Sequence, residues 1–332
     1  MRRFVREWFK RREMVRRAEA EIVYDNAMLE LQGLEPLSRR VREGASIVAE
    51  DANLAPAERR RLANALFTGS PGIPKDKDRA WALWRSAASD GDADSMYSVS
   101  MGVLSGGCEG TAEEATANLE RVSTDSTASE ETRIASVFAL AGIAERNGDE
   151  DRALEWYTKN CEDGHGLSCF KAGELLRVRG EAVEARGRFE EGARRGDPEC
   201  LHSLSIIYTN GDGMSSSDPK RGFECALKAA ESDRAPPHAF FAVGNHYYHG
   251  VGVSRDPSKA IAWWTRAAES GFAYAQINLG TAYRDGVGVE RKSLATARSW
   301  YEKAAPHSDV AKNLLRDLDK AFPHIARASQ NP

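Results

Sequence analysis

The chain has 332 residues, a formal net charge of -4 at pH 7 and 41% hydrophobic residues. This is ordinary soluble-protein composition, with enough apolar material for a substantial core. The near-neutral charge argues against bulk nucleic-acid binding, which usually requires a strongly basic balance. No apolar run approaches the roughly 20 residues that cross a bilayer, and the charged start lacks the apolar core of a secretory signal.

The first seventeen residues, MRRFVREWFKRREMVRR, predict a basic helix with one apolar stripe. Four interpretations stay open: a helix on an anionic membrane, a mitochondrial targeting helix, a docking helix for a partner subunit or ribosomal RNA, and a simple cap. The acidic residues and the scarcity of Ser weaken the targeting interpretation. The candidate docking residues are Arg3, Phe4, Trp8, Phe9 and Arg12. We expect this helix and further capping helices to occupy residues 1–52.

A spaced pattern of small and aromatic residues then recurs about every 32 to 38 residues. The first position of each copy is small: Ala80, Ala115, Ala153, Ala185, Gly222, Ala260 and Ala297. Four residues later comes the large or apolar position: Trp84, Leu119, Tyr157, Phe189, Ala226, Trp264 and Tyr301. Four further on stand Ala88, Ser123, Cys161, Ala193, Ala230, Ala268 and Ala305. The spacing i, i+4, i+8 puts all three positions on one face of a helix, which predicts tight helix packing.

A second helix is predicted before each of these, with a small residue in its middle, as at Gly142, Gly173, Gly244 and Gly280. Glycine within a helix costs about 1 kcal/mol relative to alanine, so its recurrence indicates close contact between helices. Gly-Val-Gly-Val loops at 250–253 and 286–289 separate the two helices, and an Asp or Ser follows as a helix cap. The prediction is an all-α, right-handed superhelical solenoid of about seven antiparallel two-helix repeats over residues 53–310. A C-terminal capping helix and tail follow at 311–332.

These repeats resemble the Sel-one-like repeat family within the tetratricopeptide superfamily, over about residues 58–311. The last two copies match closely, whereas the copies near 146–149 and 179–181 have the short turns of ordinary tetratricopeptide repeats. The resemblance implies a non-catalytic adaptor, assembly factor or structural subunit that binds proteins and has no cofactor or small-molecule substrate.

In such a stack the first helix of each pair lines the concave side, so its exposed positions form the predicted binding surface. Aromatic residues and Arg are favoured contact residues at protein interfaces. The candidate partner-binding residues are Phe170, Glu174, Arg177, His202, Ile206, Phe241, Asn245, Tyr248, His249, Tyr274, Ile277, Thr281 and Arg284. His246 and His249 lie three residues apart, with His238 nearby, but no third ligand of convincing spacing accompanies the pair, so we predict no metal site there.

Cys161 and Cys169 flank a predicted turn between two antiparallel helices, which brings their sulfurs within reach of a disulfide. Their spacing is similar to the cysteine pairs of two family branches, one secreted by bacteria and one in the mitochondrial intermembrane space. Those branches carry a pair in nearly every repeat, and this chain has one.

The sequence therefore predicts a protein-interaction scaffold, as an accessory subunit or assembly factor of a large, mitochondrial complex. The expected location is intracellular and soluble, with the cytoplasm as the alternative compartment. Two other functions stay open: a hydrolase of the cysteine-rich repeat type, and a peripheral membrane adaptor anchored by residues 1–17.

Overall fold

The computed structural model describes residues 54–70, 73–212 and 216–323. Within these ranges the chain forms fifteen α-helices, one short 3₁₀ helix and no β-strand. The predicted docking residues Arg3, Phe4, Trp8, Phe9 and Arg12 lie outside the described residues, as does the tail at 324–332.

The described helices follow one another as seven consecutive pairs and a final single helix. The pairs are α1 (Pro56–Thr68) and α2 (Lys77–Ser89), α3 (Ala93–Ser105) and α4 (Ala112–Thr124), α5 (Glu130–Arg146) and α6 (Glu150–Glu162), α7 (Gly166–Val178) and α8 (Ala182–Arg194), α9 (Pro198–Asn210) and α10 (Pro219–Glu231), α11 (Pro237–His249) and α12 (Pro257–Glu269), and α13 (Ala273–Asp285) and α14 (Leu294–Ala304). The 3₁₀ turn Ala305–His307 leads into α15 (Asp309–Ala321). The predicted all-α fold of about seven two-helix repeats is confirmed.

The chain divides into two compact units, residues 1–156 and 157–332. In the first unit α1 contacts α2, α2 contacts α3, and α3 contacts α4. In the second unit each helix from α7 to α15 contacts the next one along the chain, and α9 also contacts α7 and α11. This neighbour-to-neighbour packing is what a stack of helical repeats requires.

The predicted small and large positions are buried in the helix pairs. Ala80, Ala153 and Ala260 are fully buried, and so are Tyr157, Phe189 and Tyr301. The mid-helix glycines explain how the rings fit, because a Cβ at Gly173, Gly244 or Gly280 would overlap Phe189, Trp264 or Tyr301, respectively. The glycines therefore allow these rings to pack directly against the helix backbone, despite their cost to helix stability.

The long loops end in the predicted caps. The side chains of Asp218, Asp256 and Ser293 each accept a hydrogen bond from the backbone N–H three residues later, at 3.1, 3.0 and 3.2 Å. Within the loops, Gly252 and Gly288 have positive φ angles of 72° and 73°.

These loop glycines lie directly on the preceding repeat. A Cβ at Gly252 would overlap the carbonyl group of Pro219, at the start of α10. One at Gly288 would lie 2.6 Å from the carbonyl oxygen of Pro257, at the start of α12. Each long loop therefore joins its own repeat to the one before it.

Candidate partner-binding face

The thirteen candidate contact residues lie on α7, α9, α11 and α13, the first helices of the pairs in the second unit. We call this surface the first-helix face. Four of its residues are exposed: Arg177, Ile206, His249 and Tyr274. The other nine are half-buried: Phe170, Glu174, His202, Phe241, Asn245, Tyr248, Ile277, Thr281 and Arg284.

Two of the half-buried polar residues bond within their own repeat. The Trp264 indole N–H donates to Asn245 Oδ1 at 3.1 Å, and the Thr281 and Tyr301 hydroxyls lie 3.0 Å apart. The same bond recurs in the first unit, where the Trp84 indole donates to an asparagine at 3.1 Å. Buried aromatic N–H and O–H groups need such partners, so Asn245 and Thr281 position the ring of the second helix.

An aromatic patch lies where α11 meets the start of α13. The ring centroid of Phe241 lies 5.3 Å from that of Phe272 and 6.3 Å from that of Tyr274. The ring centroids of Phe272 and Tyr274 lie 5.7 Å apart. Tyr274 remains 65% exposed, although moving a large aromatic side chain out of water is favourable. Two turns along α11, the ring of Tyr248 stands 5.0 Å from Trp264. We call Phe241, Tyr248, Phe272 and Tyr274 the aromatic patch.

Sequence reasoning missed Phe272, which occupies the N-cap position of α13 and has no side-chain capping bond. Polar residues usually hold that position, so an aromatic residue there was a detectable signal. It also missed Arg255, whose Nε donates to the Tyr248 carbonyl at 3.0 Å and whose guanidinium lies 5.8 Å from the Tyr248 ring.

The other charged residues of the face are paired locally. Arg177 donates to Glu174 at 3.1 and 2.8 Å, and Arg284 donates to Asp285 at 2.8 and 3.0 Å. Exposed ion pairs of this kind contribute little to stability. They leave Arg177 exposed and Arg284 half-buried on this face.

Between α9 and α11 the face carries a pair of histidines. The rings of His202 and His238 lie 4.5 Å apart, and His238 Nε2 lies 3.0 Å from Glu199 Oε2. Burial, and secondarily the neighbouring charge of His238, lowers the pKa of His202 to about 4. His202 is therefore neutral at pH 7.

Cys161 and Cys169 are joined as a disulfide, with their Cα atoms 4.7 Å apart, and both are fully buried. Their oxidation in the cell stays a prediction. Cys200 lies nearby: a Cβ added at Gly192 would lie about 3 Å from the Cβ atoms of both Cys169 and Cys200. Burial raises the pKa of the Cys200 thiol, which keeps it protonated and a poor nucleophile for exchange.

Two further properties concern the described ranges only. No set of three or more His, Cys, Asp or Glu side chains there is arranged to hold a metal ion. Every helix described is too short or too polar to traverse a bilayer.

Packed helix pairs, with small residues facing rings and long loops lying on the preceding repeat, define a helical-repeat protein of the tetratricopeptide-like class. The protein-family model named Sel1 repeat matches residues 59–92, 136–165, 198–233, 237–272 and 273–305. The chain belongs to the Sel1 repeat family.

Two curated relatives carry regulatory names. Chitin synthase regulatory factor 4 of Schizosaccharomyces pombe is 27% identical over 217 residues, which are 57% of this chain and 34% of that protein. Chitin synthase regulator SKT5 of Saccharomyces cerevisiae is 23% identical over 283 residues, 80% of this chain and 40% of that protein. The chain spans about a third to two-fifths of the length of these relatives.

Among solved structures, the fold is similar to a Sel1 repeat protein from Oxalobacter formigenes. The TM-score is 0.67 and the sequence identity 23%, with 85% of each chain covered. This likeness shows the fold of stacked Sel1 repeats.

Proposed function

We propose that the chain is a non-catalytic scaffold that binds a segment of a protein partner on the first-helix face, with the aromatic patch as its main contact. The exposed ring of Tyr274 within a cluster of rings carries this proposal. Exposed aromatic side chains on a rigid support dominate many protein interfaces, because their burial releases much free energy at a small entropic cost.

The names of the relatives support the same class of function. Two of them are called regulators of chitin synthase, and regulation of an enzyme is work that a binding scaffold performs. This supports an adaptor role and leaves the partner to be identified. The mitochondrial complex stays a prediction that depended on residues 1–17, which lie outside the described residues.

The proposal is tested by isolating partners from native cells, identifying them by mass spectrometry and measuring their binding to purified variants. Tyr274→Ala is the informative change, because this side chain is exposed and its loss should leave the core intact. We expect at least a ten-fold loss of affinity, about 1.4 kcal/mol or more.

Val183→Ala is the matched control, since Val183 is an exposed apolar residue on a second helix, α8. Its affinity should equal that of the unmodified chain. Full binding by the Tyr274 variant would rule out the aromatic patch as the main contact. Turnover of substrates by the purified chain alone would instead favour the hydrolase alternative.

A further inference from the structure

His202 occupies a position that holds an uncharged residue in the other repeats of the second unit. Three residues before the small mid-helix position, α7, α11 and α13 carry Phe170, Phe241 and Ile277, whereas α9 carries His202. In the next contact along the stack, Phe241 meets Tyr274 at 6.3 Å. In the α9–α11 contact, His202 meets His238 at 4.5 Å. One joint between repeats is therefore made of two titratable rings.

Few groups are available to neutralise a charge on His202. Its Nδ1 atom is buried and has no hydrogen-bond partner among the described residues. Glu199, on the same helix, raises the pKa of His202 but is itself paired with His238 at 3.0 Å. The third titratable group is His246 on α11, whose ring nitrogens lie 2.7 Å from the Val251 carbonyl and 3.3 Å from the Ser205 hydroxyl.

We propose that the α9–α11 contact is a proton-sensitive joint, in which a proton on His202 places a poorly compensated positive charge against His238 and loosens the two repeats. The physical basis is that a buried charge without a full partner is costly. Uncharged, the His202 ring packs on His238 as Phe241 packs on Tyr274 at the neighbouring contact, so the joint is closed at neutral pH.

The direction of the effect follows from the pKa of His202, which is lowered to about 4 in the folded chain from an ordinary value of 6.5. Its contribution to stability is fully present above about pH 6.5 and is lost as the pH falls towards 4. Burial also lowers the pKa of His246, so this residue acts in the same direction. A hydrogen bond from His238 lowers the pKa of Glu199, whose own contribution is lost only below its ordinary value of 4.5. Between about pH 7.5 and pH 5, Glu199 therefore stays largely ionised while the histidines titrate in the unfolded chain.

The test is urea unfolding of the full chain and of His202→Phe at about pH 7.5 and about pH 5. Phenylalanine is the residue of choice because α7 and α11 carry it at this position. For the unmodified chain, the His202 contribution raises the unfolding equilibrium constant about 30-fold over this range. We expect His202→Phe to remove this part of the pH dependence of unfolding and to leave the smaller part that comes from His246.

Two further measurements locate the effect. His249→Asn changes an exposed histidine on α11, the helix of His246, and this variant should keep the full pH dependence of unfolding. Hydrogen exchange of the folded chain at about pH 5 should rise in α9 and α11 more than in α13. A side-chain titration of His202 by NMR that gave an ordinary pKa would overturn the proposal, even if His202→Phe failed to fold. Equal pH dependence in His202→Phe and the unmodified chain would also overturn it.

The joint belongs to the first-helix face. Its loosening would therefore weaken the binding of a partner that contacts α9, α11 and α13 together. This consequence rests on the proposed function, whereas the unfolding and exchange measurements need no partner. If unfolding and hydrogen exchange showed the proton-sensitive joint but partner binding did not depend on pH, the proposed binding face would be wrong and the joint would stand.

Discussion

The repeats of α11–α14 and the repeat of α7–α8 solve the same packing problem in different ways. In the former, a long loop places Gly252 or Gly288 on the backbone of the preceding repeat. In the latter, the turn is short, and Gly180 has no atom within 4 Å of where its Cβ would be. The start of α7 is instead tied to α6 by the Cys161–Cys169 disulfide. The comparison teaches that a loop contact or a covalent bond can hold a repeat to the residues that precede it.

The largest expected effect comes from blocking a loop contact. Gly252→Ala should lower the free energy of unfolding by about 3 kcal/mol or more, because strain at positive φ adds to overlap with the Pro219 carbonyl. Gly180→Ala has similar strain at φ 83° without the overlap, so it should cost only about 1 kcal/mol. Urea unfolding followed by circular dichroism measures both, and equal losses would show that the loop contact is unimportant.

The disulfide should rank next. Its cysteines are eight residues apart, and closing so short a loop in the unfolded chain corresponds to about 2 to 3 kcal/mol. Unfolding in urea with a reductant should therefore occur at lower denaturant concentration than without it. The double variant Cys161→Ala and Cys169→Ala should be insensitive to reductant. A stability unchanged by reductant in the unmodified chain would mean that the two thiols are not bonded.

The smallest effect concerns the caps that end the long loops. Ser293→Ala removes a hydrogen bond to the Thr296 backbone N–H and should cost about 1 kcal/mol. Glu181, at the same place in the short-turn repeat, makes no side-chain capping bond, so Glu181→Ala should change stability little. If both changes had the same effect on thermal unfolding, capping would not distinguish the two kinds of repeat.

Much of this fold was predictable because its pattern lies within single helices. The spacing of Ala260 and Trp264 predicts one buried face, and Asp256 before α12 predicts a cap, since both depend on neighbours in the chain. Contacts between helices were harder to predict. Three of them depend on the register between stacked helices: the hydrogen bond from Trp264 to Asn245, the contact of Gly252 with Pro219, and the contact of His202 with His238. A single sequence does not contain that register.

Only part of the candidate face could be checked against the sequence. The helical period predicts which helices and positions form it, and the structure shows which of those positions are exposed. The period did not separate Asn245, which bonds within its repeat, from Tyr274, which remains exposed. Nor did it reveal Phe272, because that residue reaches the patch from a turn rather than from a helix face.

The way the long loops lie on the preceding repeat gives the second unit a polarity. Removing α13 and α14 would leave the loop before α12 with its support at Pro219 intact. Removing α9 and α10 would take that support away from the repeat that follows. Shortening from the carboxyl side should thus leave the loop support at Pro219 in place, whereas shortening from the amino side should remove it from the repeat that remains.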